Sequence, residues 1–311
     1  MLKLLPSVSD VELEELFKFS KIKLIVLDLD GTTVKHNACV ISKLISELNI
    51  KLKHRRYGVN ITIATGRTIS GAEPLINSLA LDRNIPIILY NGSVIARPYD
   101  YKILEKKTID TVSARQVVES SLISNSASIY AYIVKDGVFP AVNSSSEQVF
   151  GWTKGLQEHT DVNGMEIIWQ NNFDSLDNLK PCAILIHEPV VENKKNTLSM
   201  LNAIVGISCT TSSSSFIEVR PCNSNKATAL QALSTISSIK KEEILAVGDN
   251  DNDAEMLKWA GIGMSVANAS PLALESSDYV SLHGVAEGAV EALRLVRSSR
   301  YYFYNPKAKR D

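Results

Sequence analysis

Residues 24–33 read LIVLDLDGTT: four apolar residues, then Asp28, Leu29, Asp30, Gly31 and two threonines. An unbroken Leu-Ile-Val-Leu run suits a strand buried on both faces, because a half-buried strand alternates apolar with polar residues. Asp28 and Asp30 then stand where the strand leaves the sheet, the edge at which open α/β sheets bind ligands. Two like charges so close repel, and the arrangement is tolerable if a cation or a proton lies between them. One carboxylate is a candidate nucleophile, and the other can manage protons.

The same pattern repeats on either side of a long interruption. A helix is expected over 40–48, from the apolar spacing of Val40, Ile41, Leu44, Ile45 and Leu48, and a strand over 59–64 that ends in Thr65, Gly66 and Arg67. A hydroxyl, a flexible glycine and a guanidinium at a strand end suit a phosphate oxygen. After a helix with Pro74 in its first turns, a third strand over 85–90 ends in Asn91 and Gly92. Further on come a helix over 226–236, a strand over 244–247 running into Gly-Asp-Asn-Asp-Asn-Asp (248–253), and a helix over 254–260. Last strands follow over 263–266 and 278–280, with a final helix over 287–297. Strands alternating with helices argue for a doubly wound α/β fold with a parallel sheet.

The interruption has a different texture. Short β-like runs at 128–134 and 138–142, joined by Asp136 and Gly137, read as a hairpin; helices are expected over 113–123 and 192–204, and another strand at 183–187. The division expected is an N-terminal helical extension over 1–20, a catalytic core of 21–92 and 216–311, and an inserted α+β region of 93–215. Within the extension, 9–19 reads as an amphipathic helix capped by Ser9 or Asp10.

Composition bounds the partners. The 311 residues are 45% hydrophobic and 22% charged, with a net charge of -1, which lacks the basic excess of a surface devoted to nucleic acid. The four cysteines have neither CxxC nor zinc-like spacing, so a reduced compartment is the simplest fit. No apolar run has the length to span a bilayer, and residues 1–20 lack a signal-peptide core. These features together lead to the expectation of a cytoplasmic, non-membrane protein of open oligomeric state.

The strand-end groups meet along one edge if the sheet forms as argued. Asp28 and Asp30 with Asp249 or Asp253 make an oxygen-only ligand set of the kind Mg2+ prefers. A negatively charged nucleophile approaches an anionic phosphate only if cations neutralise both, a task for Mg2+ and Lys226. Each residue also has a plainer reading: Thr65 and Gly66 as a helix cap, Lys226 as a solvated side chain, the 249–253 acids as helix N-terminal charges, and Asn91 as a turn residue. Tyr130, Tyr132, Trp152 and Trp169 read as core packing before pocket lining.

In their order, four motifs resemble the haloacid dehalogenase superfamily: residues 28–33, 64–67, Lys226 within NSNKATAL, and VGDNDNDAEML at 247–257. The position of the insert, together with Asn91, Gly92 and the segment GIGMSVANASPLALESSDYV, resembles the Cof-type subfamily with its large α/β cap. The resemblance implies Asp28 as nucleophile and Asp30 as acid and base. It implies Mg2+ held by Asp28, the Asp30 backbone carbonyl and Asp249, with Asn250 or Asp253 supporting. Phosphate would contact the Leu29 N–H, Thr65, Gly66, Lys226 and Asn252. Thr33 and Asn225 depart from the family's usual residues without removing a catalytic group. The expectation is a Mg-dependent phosphatase of a small phosphorylated metabolite, a sugar phosphate or cofactor phosphate. The alternatives are a phosphotransferase or sugar phosphomutase using the same aspartyl phosphate and, more remotely, a non-catalytic phospho-accepting or binding protein.

Overall fold

The computed structural model describes residues 3–6, 13–36, 38–54, 57–137, 146–161, 164–212 and 215–304. Leu24–Leu27 is a strand with all four side chains fully buried. Leu24 and Val26 face one apolar cluster, with Leu230, Leu233, Met256 and Leu257. Ile25 and Leu27 face the opposite one, with Phe19, Ile45, Leu48 and Leu293. Helices therefore cover both faces of the sheet, which is why the strand has no polar alternation.

The core sheet is wholly parallel, in the order Lys3–Leu4, Tyr279–Val280, Ile262–Ser265, Ile244–Gly248, Leu24–Leu27, Asn60–Ile63. From Leu24–Leu27 the chain goes first to Asn60–Ile63 on one side, and only later to Ile244–Gly248 on the other. The crevice of this reversal lies at the carboxyl ends of the two central strands. Register places Leu27 opposite Val247, and the Asp28 N–H donates to the Val247 carbonyl at 2.9 Å, so Asp28 and Asp249 emerge side by side.

Several expected elements shift. The helix expected over 40–48 is Lys43–Lys53; Val40 is exposed and Ile41 packs into the core ahead of the first turn. The third strand is shorter, Ile87–Leu89, and touches the parallel sheet through one bridge, Ala64 to Ile88. Its main partner is Val94–Ala96, antiparallel, followed by Ile103–Lys106. The reversal comes from Tyr90, Asn91 and Gly92, all at positive φ (52°, 51° and 96°). Residues 94–96, expected in the insert, thus turn back and lie antiparallel beside the third core strand.

The inserted cap is a six-stranded sheet in the order Ile207–Ser212, Phe216–Pro221, Ala183–His187, Ser128–Val134, Glu147–Thr153, Ile167–Trp169. Phe216–Pro221, expected to begin the returning core at 216, pairs antiparallel with both Ala183–His187 and Ile207–Ser212 and so belongs to the cap. Ser128–Val134 pairs with Glu147–Thr153; the strand expected over 138–142 lies outside the described residues, as does the proposed capping by Ser9 or Asp10. One face of this sheet packs on the helices Thr111–Ser121 and Val191–Leu201, with Val117, Val118, Leu201 and the buried Trp152 between them. The other face sends Tyr130, Tyr132, Val134 and Cys182 into the cluster that also holds Tyr90 and Tyr101.

At the far edge, Lys3–Leu4 adds a strand beside Tyr279–Val280, and the helix Leu13–Ser20 packs on Glu287–Tyr304 through Phe17 and Phe303, ring centroids 5.2 Å apart. The last helix runs seven residues past the expected 297 because Ser299 and Arg300 still face the core, Arg300 Nη1 donating to the carbonyls of Ser20 and Ile22. Among the described residues, no helix is long and apolar enough to cross a membrane.

Candidate active site

Three strand-end loops and one helix start converge at the reversal point. Asp28, Asp249 and Asp253 bring carboxylate oxygens within 4.8 Å of one another, and all three residues are buried. Lys226, the first residue of the helix Lys226–Ser237, is 1% exposed and donates from Nζ to Asp28 Oδ1 and Asp253 Oδ1, each at 2.6 Å. Three buried carboxylates lie around this one ammonium, which bonds Asp28 and Asp253, so the centre is electrostatically short of positive charge. Burial, then the neighbouring Asp253, pushes the Asp28 pKa well up; burial also raises that of Asp249. Both shifts come first from burial and are increased by the charge of Asp253, and the oxygen-only carboxylate set is of the kind that suits a divalent cation.

The carboxylates are held in different ways. Asp249 Oδ1 accepts from the Thr32 hydroxyl at 2.7 Å. Gly31 makes that approach possible: it sits at φ +92°, and a Cβ there would lie 2.2 Å from Asp249 Oδ2. Asp253 Oδ2 accepts the N–H groups of Asp249 and Asn250 at 3.0 and 3.1 Å, while its Oδ1 takes Lys226. Asp253 therefore locks the loop that carries Asp249 and aims the lysine. Asn250 turns its Oδ1 back to the Asp251 N–H at 2.8 Å, outside the carboxylate cluster. Thr33, at the position that departs from the family pattern, donates to the Asp28 carbonyl at 2.5 Å.

Asp30 lies outside the carboxylate cluster too. Arg67 grips it with both arms, Nε to Oδ2 at 2.7 Å and Nη2 to Oδ1 at 2.6 Å. The guanidinium expected to suit a phosphate oxygen is thus spent on Asp30 and on the carbonyls of Ala38 and Gly71. A forked pair of this kind fixes the plane of the carboxylate, and each oxygen retains a second lone pair.

The Thr65 to Arg67 turn lies beside this centre. Thr65 is 1% exposed, and its Oγ accepts the Arg67 N–H at 3.1 Å, a bond that does not use the hydroxyl proton. A Cβ at Gly66 would lie 2.9 Å from Asn91 Nδ2, so the glycine admits the Asn91 amide. Asn91, read as a turn residue, accepts from Asn252 Nδ2 at 2.9 Å and donates to Glu218 Oε2 at 2.6 Å. Leu29, between the two acids of the first motif, has a fully buried side chain.

The roles of Thr32, of the Arg67–Asp30 pair, of Asn91 as a link, and of the cap residues Glu147 and Glu218 are absent from the expectations drawn from the sequence. Thr32 and Arg67 stand inside motifs, so a hydroxyl or guanidinium next to an acid was a usable signal. Glu147 and Glu218 carry no local signal.

The sequence model of the haloacid dehalogenase-like hydrolases matches residues 25–293. The chain belongs to that family. Among curated haloacid dehalogenase relatives, the 5-amino-6-(5-phospho-D-ribitylamino)uracil phosphatase YcsE of Bacillus subtilis is 27% identical over 278 residues, 88% of this chain and 95% of that protein. A second such phosphatase of the same organism, YwtE, is 24% identical over 299 residues, covering 90% of this chain and 99% of its own. Among solved structures, a haloacid dehalogenase-like hydrolase from Bacteroides thetaiotaomicron superposes with a TM-score of 0.71 at 25% identity, over 88% of this chain and 98% of that one.

Proposed function

We propose that the protein is a Mg-dependent phosphatase that hydrolyses a small phosphorylated metabolite through an aspartyl phosphate on Asp28. The observation that carries this reading is the buried carboxylate cluster around the single ammonium of Lys226 at the sheet reversal. Asp28 and Asp249 would hold the ion, with the Asp30 carbonyl completing the protein's share and Asp253 behind them. Bound there, Mg2+ supplies the positive charge that offsets the repulsion between a carboxylate and an anionic ester.

Asp28 attacks phosphorus, and Lys226 neutralises charge on the transferring group. The Leu29 N–H, Thr65, Gly66 and Asn252 hold the phosphate oxygens. As the ester P–O bond breaks, Asp30 in its protonated form would give a proton to the leaving oxygen. As the carboxylate that Arg67 grips, it would then take a proton from the water that attacks phosphorus and breaks the bond between phosphorus and the Asp28 oxygen, releasing orthophosphate. Arg67 keeps Asp30 oriented through both steps. The names of the B. subtilis relatives make phosphorylated ribityl compounds the first candidates among cofactor phosphates, beside sugar phosphates.

The test is phosphate release from a library of metabolite phosphates with Mg2+. Asp28→Asn is expected to lower the rate by more than about a thousandfold. Undiminished turnover by that variant would overturn the mechanism, and an isomerised sugar phosphate in place of free phosphate would reassign the enzyme to transfer.

A further inference from the structure

Two carboxylates of the cap cross to the core, and they land on consecutive residues. Glu147, the first residue of the strand Glu147–Thr153, is 2% exposed. Its Oε1 accepts the Ile69 N–H at 2.7 Å, and its Oε2 accepts the Ser70 N–H at 2.9 Å and the Ser70 hydroxyl at 2.5 Å. The Tyr90 hydroxyl also donates to Oε1. Glu218, on the cap strand Phe216–Pro221, takes the Asn91 amide.

Ile69 and Ser70 open the helix Ile69–Leu79, where the first amides have no partner within the helix and a negative charge meets the positive end of the dipole. That helix begins two residues beyond Arg67. Tyr90 and Asn91, both at positive φ, present their side chains in turn to Glu147 and Glu218, and Asn91 continues to Asn252 of the fourth motif. Burying a carboxylate is unfavourable unless donors surround it, and an apolar side chain would fill the same space without that penalty. What four donors from three core residues give instead is a single defined seat for the cap.

We infer that Glu147 is a positioning residue that clamps the cap onto Tyr90 and onto the start of the helix Ile69–Leu79, just past the turn carrying Thr65, Gly66 and Arg67, with Glu218 gripping Asn91 as the second jaw. The inference rests on the phosphatase reading, since it assigns the clamp to the leaving-group side of that same site. With the clamp shut, the cap confines the leaving group above the phosphate; a donor whose leaving group is too small to meet the cap has no need of it.

The test compares Glu147→Gln and Ser70→Ala with wild type on three readouts: hydrolysis of acetyl phosphate, hydrolysis of the best metabolite ester from the library, and amide exchange at Ile69 and Ser70. Glu147→Gln keeps the volume but turns an amide nitrogen toward groups that donate. It is expected to lower kcat/KM for the metabolite ester about tenfold or more while changing acetyl phosphate turnover less than about twofold, and to speed exchange at both amides. Ser70→Ala, which deletes one hydroxyl, keeps the test open if the first variant fails to fold, and shifts the same ratio in the same direction. Equal losses on both substrates, or no change in ratio and exchange, would overturn the clamp. Faster exchange in the variants with a wild type inactive on both substrates would overturn the phosphatase reading and leave the seat standing.

Discussion

Lys226 shows how the site is balanced at the scale of one residue. Burial alone pulls its ammonium pKa down; the carboxylates of Asp253 and Asp28 outweigh that, and the net shift is upward. The lysine is therefore held charged, and its removal leaves Asp28 and Asp253 buried without a counter-charge. Lys226→Met is expected to cost about 3–5 kcal/mol in metal-free protein, read from urea unfolding, and Mg2+ should restore part of the loss. A variant that unfolds at the wild-type urea concentration would refute the electrostatic account. In the sequence Lys226 was one lysine among many, and its position within NSNKATAL set it apart only together with the other motifs. Its two partners lie 198 and 27 residues away, so no local pattern could name them.

Elements obey local rules where their neighbours are local. Asp110 caps the helix Thr111–Ser121, accepting the Ser113 N–H at 2.9 Å and the Ser113 hydroxyl at 2.6 Å. The hydroxyl first, then the amide, hold the Asp110 carboxyl below its usual pKa. For an acid whose folded value is depressed, the contribution to stability is present above the unfolded pKa and is lost as the pH falls through the folded one. Asp110→Ala should therefore cost about 1 kcal/mol at neutral pH, and the wild-type advantage should fade as the pH drops below the ordinary aspartate range. Thermal unfolding of both proteins across that range checks this, and a gap that widens in acid would contradict it. The helix Lys43–Lys53 depends on partners outside itself. Its spacing continues through the buried Asn49 and Leu52, where Asn49 donates to the carbonyl of Leu79, a partner on another helix that hydropathy does not reveal.

Across the whole molecule, an ion bound at the carboxylate cluster links two halves of the core that are distant in sequence, Asp28 and Asp249. An ion that binds only the folded chain, at a hundred times its dissociation constant, adds about 2.7 kcal/mol of stability. Mg2+ is expected to raise the melting temperature accordingly, chelation to reverse the rise, and Asp249→Asn to abolish it. A melting temperature indifferent to Mg2+ in wild type would remove the metal from the account. The parallel sheet, its apolar strands and the acids at their ends were legible in the sequence, because a buried strand and its exit are written in consecutive residues. The tertiary structure alone decided that Phe216–Pro221 belongs to the cap, that Arg67 holds Asp30, and that Glu147 and Glu218 reach Ser70 and Asn91. Those contacts join strands, loops and helices whose relative placement depends on how the sheets pack, and hydrogen bonds across that distance leave no periodicity along the chain.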